Sequence, residues 1–469
     1  MPFVPSERGL QVEPNSRPST DKQFPPPKYF GDPGSAGRCV QRAMHLMANS
    51  TPRRRNTVRV LFYGQSITEQ NWWHQVAHDL RRRYPHANLI IENRATGGHP
   101  SQLLVRTAEA DLYPFYPDLL IFHVYGSHVD YENIIRRVRE RTTADILLQT
   151  DHVTRDEQLD EETDPVRLYP DGRIWDAFMN YRFLPEIARK YGCELALVRD
   201  LWKRYLREYG LNASQLLSDA VHLNDWGCYV MAQFVNAHLR YHPRVPRAEW
   251  GDRVKNFVVG RDVRWRSGKL ALEFEGNRVD AICREGSAPA APVYIDGRHP
   301  SQHPALYAVT RTTAYPGTNW PCVLRVGREK PCIAEEWTLR LAEVSSDGAV
   351  CRFSLSGSVT GADGEGISTQ RFVSRTGRVV IEPEDWNIAY ACRVFGLRVQ
   401  PGFEIRWRVV PLFVDEFVTP GERDRSVETT VTLAQGLEGR RHLLEIRGDS
   451  RVPITALRVY CPPLLGKEV

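Results

Sequence analysis

The stretch Val58-Arg59-Val60-Leu61-Phe62-Tyr63-Gly64-Gln65-Ser66-Ile67-Thr68 decides how this chain is read. A mostly apolar run ends abruptly in Gly-Gln-Ser, and Trp72, Val76 and Leu80 then follow at helical spacing. A strand that delivers a serine to the start of a helix is the unit of an open parallel sheet. The same alternation continues downstream. Strands are expected at 58–63, 89–92, 119–124, 146–149 and 195–198. Helices are expected around Trp72–Leu80, around Ile134, Ile135 and Val138, and over 175–191 and 226–239. Continuous apolar strands separated by amphipathic helices imply a sheet buried on both faces. The fold class is therefore α/β for this part, and its site belongs beyond the carboxyl ends of the strands. Ser66, Gly98, Tyr125 to His128, and Asp151-His152 all fall there.

The flanking regions read differently. Residues 1–56 form an extended Pro-rich arm, with Pro25-Pro26-Pro27 and Asp32-Pro33-Gly34 opposing regular structure and one short helix near Val40 to Met47. The α/β pattern spans 57–245. From 246 to 469 short alternating segments such as Lys269-Leu270-Ala271-Leu272-Glu273-Phe274-Glu275 dominate, and helical periodicity nearly vanishes. An all-β, sandwich-like region is expected, with a β unit inserted at about 331–407 and closing strands at 442–446 and 454–460.

Bulk properties exclude several classes. The 62 basic and 57 acidic side chains leave a net charge of only +5 over 469 residues, so no nucleic-acid partner is implied. No stretch is long and apolar enough to span a bilayer. The nine cysteines are scattered without a CxxC pair, which suits free thiols and a cytoplasmic setting. His74 and His78 share a helix face, but Gln75 stands where a zinc protease motif carries Glu, so no metal is assigned. No cofactor is implied, and the oligomeric state is left open.

Three segments carry the chemistry: Gly64-Gln65-Ser66, Asn93-Arg94-Ala95-Thr96-Gly97-Gly98, and Asp219-Ala220-Val221-His222. A serine hydroxyl needs a base to take its proton, and the base needs a partner that fixes its tautomer. His222, three residues after Asp219, lets both approach one serine from a single loop. The developing oxyanion needs donors, which the Ser66 and Gly98 N–H groups can supply. Blander roles stay open: Ser66 as a helix N-cap, His222 as a packed loop histidine, Gly97-Gly98 as a plain turn.

In these segments the chain resembles the SGNH (GDSL-type) hydrolase family over about residues 57 to 242. The resemblance implies a flavodoxin-like three-layer α/β/α domain, here followed by sandwich (jelly-roll-like) β domains. It implies Ser66 as nucleophile, His222 as base, Asp219 as orienting acid, and Gly98 as oxyanion glycine. The Gly-Gln-Ser start is similar to that of carbohydrate acetylesterases. One departure stands out: the family's oxyanion Asn falls on His128, within His123-Val124-Tyr125-Gly126-Ser127-His128. A histidine N–H can also donate. Gln65, Glu69, Tyr125, Asp130, Asp151 and His152 are further pocket candidates. The expected function is removal of an O-acyl (acetyl) group from a carbohydrate or other acylated small molecule. Two alternatives remain: a glycoside hydrolase on the same fold, using Glu69, Asp130 or Asp151, or a non-catalytic carbohydrate-binding protein.

Overall fold

The computed structural model describes residues 24–32, 34–170, 175–286, 289–421 and 424–466, the side chain of Glu249 excepted. Residues 1–23 of the Pro-rich arm lie outside the described residues. Five strands form a parallel sheet: β1 (Thr57–Gly64), β2 (Asn88–Asn93), β3 (Leu119–His123), β4 (Asp145–Gln149) and β5 (Glu194–Ala196). Their order is β2-β1-β3-β4-β5, the doubly wound, flavodoxin-like arrangement.

The alternation of side chains along each strand builds both outer layers. Val58, Val60 and Phe62 point to one face with Leu119, Ile121 and Leu147. There they meet Met44, Trp72, Val76, Leu80, Trp202 and Phe234 from the helices Gln41–Ala48, Trp72–Arg83, Val198–Tyr209 and Asp225–His238. Leu61, Tyr63, Leu120, Phe122, Ile146 and Leu148 point to the other face. Leu104, Ile134, Ile135, Val138, Leu184 and Ile187 cover them from Ser101–Asp111, His128–Arg141 and Leu184–Tyr191. Each fully buried side chain of this size contributes roughly 1.5–3 kcal/mol by leaving water.

Three features depart from the sequence reading. The expected strand 195–198 ends at Ala196, and Val198 instead opens the helix Val198–Tyr209. The run Leu195-Ala196-Leu197-Val198 is uniformly apolar, so its own pattern cannot divide strand from helix. Only the later buried set Leu201, Trp202, Tyr205 and Leu206 shows helical spacing. The second departure lies in the C-terminal part, where a helix, Ile388–Phe395, interrupts the β pattern.

Beyond Gly251 the strands are antiparallel. One sheet holds Glu416–Phe417, Ala291–Ile295, Arg441–Arg447, Lys269–Glu275 and Trp265–Arg266. Another holds Thr429–Gln435, Arg278–Cys283, Ile454–Tyr460 and Val254–Val258. The two share a core of Leu272, Phe274, Val293, Leu444, Val279 and Leu457. A third sheet is nested between Ile295 and Glu416 in the chain. It holds Tyr307–Val309, Glu404–Pro411, Glu335–Val344, Cys351–Gly357 and Gly361–Ile367, around a separate core with Trp337, Phe353 and Trp407. This sheet reaches back to Tyr307, wider than the stretch 331–407 expected from sequence. No disulfide joins the cysteines, and among the described residues no helix is long and apolar enough to cross a membrane.

Candidate active site

The reversal of strand order at β1 and β3 opens a crevice at their carboxyl ends. Gly64 pairs with His123 across that edge, and any side chain on Gly64 would strike the His123 carbonyl. Gln65 caps the next helix with extended backbone, its carbonyl accepting from Thr68 N at 2.8 Å. Ser66 is therefore the first helical residue and not the cap, so its hydroxyl is released from capping duty. Its N–H, like that of Gly98, donates to no other group among the described residues.

The Ser66 Oγ lies 2.9 Å from His222 Nε2, and His222 Nδ1 lies 2.7 Å from Asp219 Oδ2. The other Asp219 oxygen accepts from the His222 and Val221 amides at 2.7 and 2.8 Å. The His222 amide bond, then the Val221 amide, then the imidazole hold the Asp219 carboxyl down at about 2. That carboxylate stays ionised and fixes the proton of a neutral imidazole on Nδ1, which leaves Nε2 to accept from Ser66. The side chains of Asp219 and His222 are 57% and 39% exposed, so the site opens directly to solvent.

Gln70, which the sequence reading passed over, and Asn93 and His152, which it named, lock these pieces together. Gln70 donates to the Leu223 carbonyl at 2.8 Å and accepts from the Leu223 amide at 3.0 Å, tying the serine helix to the histidine loop. Asn93 donates to the Thr68 carbonyl at 2.7 Å and accepts from the Ala95 amide at 2.9 Å, tying the glycine loop to the same helix. His152 donates to the Val221 carbonyl at 2.8 Å, so it braces the loop of Asp219 and His222. Asp151 is paired with His123 at the end of β3 and also accepts from Tyr125. Neither Asp151 nor His152 touches Ser66.

The remaining expected site residues are placed as follows. His128 opens the helix His128–Arg141, and its ring lies 5.3, 5.0 and 4.6 Å from those of Trp175, Phe178 and Phe183. Its Nε2 is buried without a hydrogen-bond partner. No hydrogen bond brings it to Ser66 or His222. Asp130 sits in the first turn of that helix, its amide donating to the Ser127 hydroxyl. Glu69 lies beside Gly97 and accepts from Asn319 at 2.8 Å.

Asn319 belongs to the segment of the third sheet, and that segment builds one wall of the site. Trp320 packs on Gly98 so closely that a methyl group there would lie 2.5 Å from the indole. Tyr390, on the helix Ile388–Phe395, donates to the Gly98 carbonyl at 3.0 Å. Arg311 reaches the Arg94 carbonyl and the Thr96 hydroxyl, both at 3.3 Å, while paired with Asp111 at 2.7 Å. Residues more than 200 positions away thus hold the glycine loop. No local sequence signal marks them. We expect Tyr390→Phe to lower kcat about three- to tenfold through the lost hydrogen bond of roughly 1 kcal/mol, with KM little changed. Equal kinetics for the two forms would remove Tyr390 from the positioning set.

Two buried histidines near the site resist protonation in the folded chain. Burial pulls His152 down to about 4, and burial together with Arg311 pulls His99 down to about 3. Their ordinary value is 6.5, so between these values the unfolded chain binds more protons than the folded one. Their stabilisation is complete above about pH 6.5 and is lost as pH falls towards 4. Urea unfolding at pH 7 and pH 4.5 is expected to differ by on the order of 2–3 kcal/mol from His152 alone. His152→Gln should shrink that difference; an unchanged difference would contradict the assignment.

Among solved structures, the chain is similar to the acetylxylan esterase Axe2 from Geobacillus stearothermophilus. That match has 17% identity and a TM-score of 0.34, and covers 41% of this chain and 98% of that one. It is also similar to LAE5, an α/β hydrolase enzyme from the metagenome of Lake Arreo, Spain, at 18% identity and a TM-score of 0.32 over 40% of this chain and 98% of that one. A third, an acetyl xylan esterase called AlAXEase, matches at 20% identity and a TM-score of 0.32 over 38% and 98%. No family model and no curated protein matches the chain.

Proposed function

We propose that this protein is a serine hydrolase that cleaves carboxylic esters through an acyl-enzyme on Ser66. The observation that carries the reading is the continuous relay from Ser66 Oγ through His222 to Asp219, at 2.9 and 2.7 Å. His222 removes the Ser66 proton as Oγ attacks the acyl carbon, then returns it to the leaving alcohol. Water enters by the same route and releases the acid. The Ser66 and Gly98 amides face no competing acceptor, so both can stabilise the oxyanion. His128 is the proposed third donor, because its Nε2 is buried with no hydrogen-bond partner among the described residues.

The acyl group is proposed to sit on a carbohydrate. Two features support this beyond the Gly-Gln-Ser start. The open mouth around Asp219 and His222 leaves room for a bulky alcohol portion. Aromatic side chains gather near Gly98 and His128, with Tyr390 and Phe395 about Trp320 and Tyr125 against Trp175. Glycoside cleavage fits less well, because Asp219 already accepts three hydrogen bonds and Asp151 is paired with His123.

The test is release of acetate from acetylated xylo-oligosaccharides and from p-nitrophenyl acetate, with unsubstituted oligosaccharides as the control. Acetate release without cleavage of the sugar chain supports the proposal. Reducing-end formation from the unsubstituted chains would overturn it in favour of glycoside hydrolysis.

A further inference from the structure

A second site lies at the opposite edge of the parallel sheet. A cavity of about 410 Å³ opens between the helix Gln41–Ala48, the start of β1 and the four-stranded sheet that contains Arg278–Cys283 and Ile454–Tyr460. Arg59 projects from β1 at this end, seven residues before Ser66, which places the two about 20 Å apart along the strand direction. The cavity therefore belongs to neither the serine relay nor its pocket.

Its charge is unbalanced. Six arginines line it against three carboxylates. Each carboxylate already has its own partner: Asp118 pairs with Arg42 at 2.9 Å, Asp280 with Arg278 at 2.8 Å, and Glu428 with Arg458 at 2.7 Å. The other three arginines, Arg54, Arg59 and Arg247, have no ion pair among the described residues. Arg59 is the telling one. Its guanidinium lies 4.3 Å from the Phe115 ring, its Nε is buried without a hydrogen-bond partner, and burial together with Arg278 pulls its pKa down. A partly desolvated cation beside a second cation is unfavourable unless an anion joins them.

The unmet hydrogen bonds agree. Three of the residues that line the cavity carry a buried polar atom without a hydrogen-bond partner: Arg42 Nε, Arg59 Nε and Trp250 Nε1. All three are donors. A ligand that reaches the donors of these residues must offer acceptors, and the excess of arginine requires it to be negatively charged.

We propose that this cavity binds a small molecule bearing a phosphoryl-type oxyanion, held by Arg59 and Arg42 with Arg54 and Arg247 at the mouth. Planar guanidinium groups suit such oxyanions because they donate in parallel pairs. Bound there, the anion joins the α/β layer to the sandwich sheet, so its binding stabilises the whole chain.

The experiment uses the full chain, thermal unfolding and isothermal titration with inorganic pyrophosphate, with sulfate as a second arm and chloride at matched ionic strength as control. Occupancy at a hundred times Kd should raise the transition by several degrees for wild type. A larger response to pyrophosphate than to sulfate assigns a phosphoryl ligand, and equal responses assign a tetrahedral oxyanion more generally. Arg59→Leu should unfold at a higher temperature than wild type without ligand and should lose the pyrophosphate shift. If that variant does not fold, the exposed double variant Arg54→Gln/Arg247→Gln decides, with at least a tenfold weaker Kd expected. No pyrophosphate shift at 10 mM in wild type (roughly a hundredfold above a 0.1 mM Kd), a chloride shift of equal size, or unchanged binding in the folded variants would overturn the proposal.

Discussion

Ser66→Ala is expected to lower kcat on p-nitrophenyl acetate by about 10⁴- to 10⁶-fold while leaving the unfolding transition almost unmoved. The size follows from the role proposed for the hydroxyl. Without it no acyl-enzyme forms, and His222 and the oxyanion donors can only assist direct attack by water. The insensitivity of stability follows from the local structure. Ser66 is not the helix cap, since Gln65 occupies that position, and its one side-chain hydrogen bond goes to the half-exposed His222. A variant that unfolds early would show that Ser66 has a structural duty the geometry does not reveal. A folded variant with near wild-type turnover would remove the nucleophile.

Gly98→Ala is expected to have the next largest effect, a fall in kcat of about 10²–10³-fold with a clear loss of stability. Two independent constraints act at this position. Gly98 has φ of +72°, where an alanine costs roughly 1–2 kcal/mol. The added methyl would also meet the Trp320 indole at 2.5 Å, so the loop or the indole must move. Either movement displaces the Gly98 amide from its proposed oxyanion-binding position and strains the Tyr390 bond to the Gly98 carbonyl. Trimming the indole in a Gly98→Ala/Trp320→Leu double variant should recover part of the stability but little of kcat. Full recovery of both would place the whole effect in the clash and none in the amide.

The parallel sheet was legible because each strand end carries a local signal. The apolar run before Gly64 and the one before Asn93 both stop at turn residues. The meeting of Ser66, His222 and Asp219 was legible for the same reason: the three residues lie in short segments of fixed spacing, and the fold brings those segments to one sheet edge. Val198–Tyr209 was not, because a uniformly apolar run hides the point where strand gives way to helix. Asn319, Trp320, Arg311 and Tyr390 were not legible either. Their contacts with Glu69, Thr96 and Gly98 span more than 200 residues and depend on how a nested sheet docks. His128 shows a different limit. Its position in the motif suggests an oxyanion donor, yet its ring is also well accounted for by Trp175, Phe178 and Phe183.

The proposed nucleophile can be observed directly. The intact mass of the protein, followed by peptide mapping, would be measured after exposure to a fluorophosphonate that phosphonylates activated serines. One adduct per chain on Ser66, formed at least a hundredfold more slowly in a folded His222→Ala variant (about 3 kcal/mol in barrier), is the predicted result. An unlabelled Ser66, or labelling that proceeds equally without His222, would contradict the account.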